Sequence, residues 1–126
     1  MLSDKELKEL KEEIVKYKLD VPDYFRDIDD DELKIIYNGA GSDDTPAFIR
    51  WILSCLLNIL KASILIHDVD FTYKKDAFEV VNKRSNDNNL KLINGKVSKW
   101  NFFYKCYIMT LRIIAKDFVN ALGKKW

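Results

Sequence analysis

The stretch Thr45–Phe71, TPAFIRWILSCLLNILKASILIHDVDF, decides the fold. Thr45 is a good helix N-cap, and Pro46 suits the first helical position, where no backbone N–H is needed. Phe48, Trp51, Ile52, Cys55, Leu56, Ile59, Leu60, Ser63 and Ile64 then follow at three- and four-residue spacing. Apolar residues occupy most sides of this helix, so it needs neighbours all round it. It reads as one long helix to Phe71 or as two broken near Lys61. Arg50, Asn58 and Lys61 interrupt the apolar pieces of 46–66. A spanning helix needs about 20 predominantly apolar residues, so this one is expected to be a buried core helix. Membrane association through 46–66 is the alternative.

Helices flank it on both sides. Ser3 and Glu6 form a capping-box pattern ahead of Leu7, Leu10, Ile14 and Val15, which predicts a helix over about 3–17. Val21-Pro22 breaks it, and a helical turn is expected at Pro22–Arg26. The acidic run Asp29–Glu32 suits the N-terminus of a short helix carrying Leu33, Ile36 and Tyr37, with Gly39 as its stop. Beyond the central helix, Lys74–Asp76 should turn the chain into a further helix over about 76–90, with Asn86–Asn89 weakening its end. Asn94-Gly95 signals a turn, and a small hairpin of Leu92 with Val97 is one use for it. A last helix is expected from Ser98 to Gly123, with an aromatic stripe at Trp100, Phe103, Tyr107 and Phe118. The prediction is a single all-α domain over 1–126: a helical bundle with a central apolar helix and an antiparallel helix pair.

At 126 residues the chain is long enough to bury a core without metal or disulfide staples. Cys55 and Cys106 lie in apolar helical patterns and are expected to be buried free thiols. The N-terminal segment is charged and periodic, unlike a signal peptide, and a cytoplasmic site within a host cell is expected. The net charge of +1 conceals an asymmetry. Residues 1–44 carry 14 acidic and 7 basic side chains, and residues 45–126 carry 14 basic and 6 acidic. Two mutually attractive faces explain this; an anionic lipid partner for the basic half is the alternative. No tight run of Lys and Arg points to nucleic acid.

One constellation carries chemistry. His67 is the only histidine, and Asp68 follows it. On a helix His67 shares a face with Ser63, Ile64, Asp70 and Phe71, while Asp68 points roughly 100° away. An imidazole beside a carboxylate can move a proton or help to hold a metal. If the helices around the Lys74–Asp76 turn pack antiparallel, Asn82 or Lys83 falls opposite His67. Asn82 is the better partner by type, since an amide oxygen can accept from the imidazole N–H. Upstream, the glycines of Tyr37–Asp43 allow backbone carbonyls to converge on a hard cation such as calcium, with Asp68 as a further ligand. A helix stop followed by an ordinary loop explains the same residues.

Together these residues resemble the phospholipase A2 pattern, most nearly its disulfide-free form in parvovirus capsids. Tyr37-Asn38-Gly39-Ala40-Gly41 is similar to the calcium loop, and His67-Asp68-Val69-Asp70-Phe71 to the His-Asp-x-x-Tyr helix, with Phe71 replacing tyrosine. The resemblance implies that His67 activates water, that Asp68 binds calcium, and that Asn38, Gly39 and Gly41 supply the loop. It also implies that Asn82 stands where an aspartate orients the histidine. Phenylalanine lacks the hydroxyl that would bond that aspartate, and asparagine lacks the charge that stabilises an imidazolium. An analogous loss in a serine-protease triad costs about 10⁴ in rate. The whole chain also resembles small phage and prophage proteins with an Asn-Gly-x-Gly turn, an Ile-His-Asp-Val motif and a later Phe-x-x-x-Asn, here Phe78–Asn82.

Three readings follow. The first is a non-enzymatic phage-type helical protein with a His-Asp-Asn polar site and an unknown protein partner. The second is a weak or degenerate calcium-dependent lipid hydrolase. The third is membrane or virion association without catalysis, through 46–66 or the Lys124–Trp126 tail.

Overall fold

Helix α1, Asp4–Lys16, begins as its sequence dictates. The Ser3 side chain accepts from the Glu6 N–H, and the Glu6 side chain accepts from the Ser3 N–H, closing the capping box. Its far end closes with a Schellman arrangement. The N–H groups of Lys18 and Leu19 donate back to the carbonyls of Val15 and Ile14, and Lys18 takes φ 53°. A 3-10 turn, Asp23–Asp27, follows, and then α2, Asp30–Ile36, with three acidic residues in its first turn. The computed structural model describes residues 2–37, 47–97, 104–106 and 109, with the backbone alone for 47–57.

Helix α3 runs unbroken from Ala47 to Tyr73, through Lys61, and α4 from Phe78 to Lys96. The described residues are all-α, in a helical bundle with α3 at its centre: α3 packs against α1, α2 and α4. Leu60, Ala62, Leu65, Ile66 and Val69 of α3 are buried against Leu7 and Leu10 of α1, Leu33 and Ile36 of α2, and Leu92 and Ile93 of α4. Phe25 from the 3-10 turn and Tyr104 join the same core. Among the described residues no helix is long and apolar enough to cross a membrane. Thr45-Pro46 lies outside the described residues, as do the aromatic stripe Trp100, Phe103, Tyr107 and Phe118, the Lys124–Trp126 tail and the rest of the expected last helix apart from 104–106 and 109, which are helical.

Three expectations change. The helix after the turn does not fade at Asn86–Asn89 but continues to Lys96, because Asn88 and Asn89 have partners across the bundle: Asn88 bonds the backbone of Asp20 and Asn89 accepts from Ser63. Asn94-Gly95 therefore lies inside α4, and no hairpin joins Leu92 to Val97. Gly95 has a packing reason instead. A Cβ built there would meet Tyr17 Cε1 at 2.4 Å and Cδ1 at 2.6 Å. The glycine lets the last residue of α1's cap lie flat on α4. Cys106 is also exposed rather than buried.

Gly95→Ala separates two opposed effects. In the last turn of α4 alanine gains at most the about 1 kcal/mol that it gains over glycine in a helix interior, whereas forcing a methyl into the Tyr17 ring costs about 1–3 kcal/mol. A net loss of about 1 kcal/mol is expected by chemical denaturation. The Tyr17→Ala background should turn that loss into a gain, because the obstructing ring is gone.

Candidate functional site

The polar centre of the molecule forms where α3 turns into α4. Asp70 lies on the core-facing side of α3, one turn beyond Ile66, and is 2% exposed. A carboxylate in that position needs donors, and α4 supplies them through Arg84. The guanidinium Nη1 donates to Asp70 at 2.6 Å, Nη2 to Asp76 at 3.1 Å, and Nε to Asp20 at 3.3 Å. One buried cation thus ties α3, the α3–α4 connection and the segment after α1. Burial holds the Asp70 carboxyl above the usual carboxylate range, and the Arg84 hydrogen bond opposes that rise.

Aromatic rings seal the same end. Tyr24 meets Tyr73 edge to face at 5.3 Å, and Lys75 Nζ lies 4.5 Å from the Tyr24 ring centre and 5.6 Å from that of Tyr73. Tyr73 donates to Glu32, which joins the end of α3 to α2. The Tyr24 hydroxyl is buried with no hydrogen-bond partner among the described residues, and burial, aided by the charges of Asp70 and Asp76, pushes its pKa up to about 12. On the next turns of α4, Asn88 Oδ1 accepts from the Asp20 N–H at 2.7 Å and Nδ2 donates to the Asp20 carbonyl at 2.8 Å.

The sequence-derived site lies one turn away on α3. His67 and Asp68 are half-buried, with His67 Nδ1 3.9 Å from Asp68 Oδ1, outside hydrogen-bond range. The imidazole stacks on Phe71 at 4.1 Å between ring centres, tilted by 33°. His67 is close enough to Asp70 to lower its carboxyl slightly. Asn82 is half-buried on α4. Ser63 pairs with Asn89 and Asp70 with Arg84, so this register carries Asn82 about one turn nearer the connection than the level of His67. Asn38, Gly39 and Gly41 lie outside the described residues. Tyr37, which opens that loop, caps α2. Burial raises its phenol, and the Asp68 charge raises it further.

Among the described residues no group of three or more His, Cys, Asp or Glu is placed to hold a metal ion. Of the proposed calcium ligands only Asp68 falls within them. Comparison with protein-family models, curated proteins and solved structures gives no match.

Arg84, Asp76, Asp20, Asn88 and the Tyr24–Tyr73 pair were not evident from the sequence. One signal pointed to them. Asp70 shares the apolar face of α3 with Ile66 and Val69, and a carboxylate there calls for a cation from a neighbouring helix. Arg84 is the only arginine on α4.

Proposed function

We propose that this chain is a non-enzymatic helical module of phage type that works by binding another protein, with its polar centre acting as a structural network. The observation that carries this reading is the capture of Asp70 by Arg84. Asp70 is the carboxylate one helical turn from His67, and it is committed to a buried guanidinium. A general base needs a partner that fixes its tautomer and stabilises its charged form. His67 is instead packed on Phe71.

One observation favours the hydrolase reading: the Tyr37 phenol feels the charge of Asp68. In that case Asp68 and the loop carbonyls would hold calcium, which would polarise an ester carbonyl, and His67 would take a proton from water.

The test is fatty-acid release from phosphatidylcholine–phosphatidylglycerol vesicles with calcium or with chelator. No calcium-dependent release is expected, and His67→Ala should lower stability by about 1 kcal/mol through lost packing on Phe71. Calcium-dependent release that disappears in His67→Ala would overturn the module in favour of the hydrolase.

A further inference from the structure

Val15 and Ile35 are the most exposed large apolar side chains among the described residues, at 78% and 68%. Single exposed apolar residues are ordinary, but the surroundings of these two are complementary. Val15 forms one wall of a groove of about 440 Å³ between the second half of α1 and the 3-10 turn. Leu19 and Phe25 floor it, and Lys11, Lys18 and Arg26 edge it, with no carboxylate in the lining. The Lys18 and Arg26 side chains make no ion pair with any described residue. Ile35 lies on α2 one turn after Asp31, so the two share a face. The Asp31 carboxylate is 91% exposed, and Asp29 and Glu32 stand exposed beside it.

We propose that this groove is a self-association site whose occupant is the Asp31–Ile35 face of α2 from a second copy of the chain. An acidic helix face bearing one protruding apolar side chain matches an apolar groove edged by cations in both charge and form. The two charge sets already attract within one copy, where Lys11 at the groove edge pairs with Asp30 of α2; Asp31 pairs with Lys34 of its own helix. Of the groove's three cations, Lys18 and Arg26 are the two that take no part in this pairing. The whole of α2 spans about 10 Å, at 1.5 Å per residue, so its single exposed face is short enough for one groove. Each copy carries both halves, so a two-fold axis makes the contact twice. This inference rests on the reading of the chain as an interaction module and names its partner.

Sedimentation velocity of the full chain across a concentration series, at low and high salt, tests it. A concentration-dependent dimer that weakens with salt is expected. Lys18→Glu with Arg26→Glu should raise the dissociation constant about tenfold or more, as should Asp31→Lys with Ile35→Ser. A mixture of Lys18→Glu/Arg26→Glu with Asp31→Lys should recover a heterodimer through the exchanged charges, which also shows that both variants are folded. A monomer at every concentration overturns the proposal, as does a dimer indifferent to salt and to charge reversal. A monomer that releases no fatty acid leaves the module reading standing while removing this partner. A chain with calcium-dependent release removes the module reading whatever its oligomeric state.

Discussion

Arg84→Ala is expected to lower the stability of the fold by about 3–5 kcal/mol, the range for removing one member of a buried ion pair. The substitution strips Asp70 of its closest donor, at 2.6 Å, while the carboxylate stays 2% exposed. Asp76 and Asp20 are 36% and 60% exposed, so water compensates them, and the loss concentrates on Asp70. For a domain of this size the melting temperature should fall on the order of 10 °C or more. The deficit should also depend on pH. Burial raises the Asp70 carboxyl above its unfolded value, and the Arg84 hydrogen bond opposes that rise. A carboxyl raised in the folded state contributes stability that is full below its unfolded pKa and is lost as pH climbs through the folded pKa. Removing Arg84 moves the folded value further up. The stability gap between variant and wild type should therefore be wider at about pH 7 than at about pH 4, because acidification carries the Asp70 carboxyl toward its neutral form and removes the charge that Arg84 compensates. Chemical denaturation at the two pH values measures it, and an equal gap at both would mean that Asp70 finds another donor. Arg84→Met with Asp70→Leu should recover much of the loss, because an apolar pair of similar bulk carries no desolvation cost.

The helices were legible because each is announced by local chemistry. The capping box at Ser3–Glu6, the acidic first turn of α2 and the apolar positions of α3 act within one or two turns of sequence, and α1, α2 and α3 form where that chemistry predicts. The end of α4 was not legible, because its asparagines read locally as breakers while their partners lie in remote segments. Asn88 reaches back to Asp20, and Gly95 answers to Tyr17. Tertiary contact overrides propensity at both positions. The candidate site divides in the same way. His67 and Asp68 are recognisable as neighbours in sequence, and both are half-buried on α3. Arg84, Asp70, Asp76 and Asp20 are spread over four segments, and only the long-range packing of α3 on α4 makes them one network. Equal counts on either side of the Lys74–Asp76 turn put Asn82 or Lys83 opposite His67. The connection extends through Ala77 before α4 begins, which accounts for only part of the difference; the Ser63–Asn89 and Asp70–Arg84 pairs set a register about one turn away.

Asn88→Asp is the most informative change of a single atom. The amide of Asn88, fully buried, meets both polar groups of the Asp20 backbone, accepting at 2.7 Å and donating at 2.8 Å. No other terminal group on a side chain of that length offers one donor and one acceptor in that order at neutral pH. An ionised aspartate keeps the acceptor but turns an oxygen toward the Asp20 carbonyl, leaving two lone pairs opposed and a charge buried. A loss of about 3 kcal/mol or more is expected at neutral pH, from one unsatisfied carbonyl and an uncompensated carboxylate. Protonation restores the donor: the carboxyl O–H can bond the Asp20 carbonyl while the other oxygen still accepts from the N–H. The new carboxyl is therefore raised in the folded state. Its stabilising contribution is present below the unfolded carboxylate pKa and is lost as pH rises, so the variant should approach wild-type stability on acidification. Asn88→Leu removes both partners at all pH values and should show no such recovery. Thermal melts of the two variants from about pH 4 to about pH 7 distinguish a pairing that locks the α1–α4 junction from one that merely fills space. Parallel curves would mean that the Asp20 backbone finds its partners elsewhere.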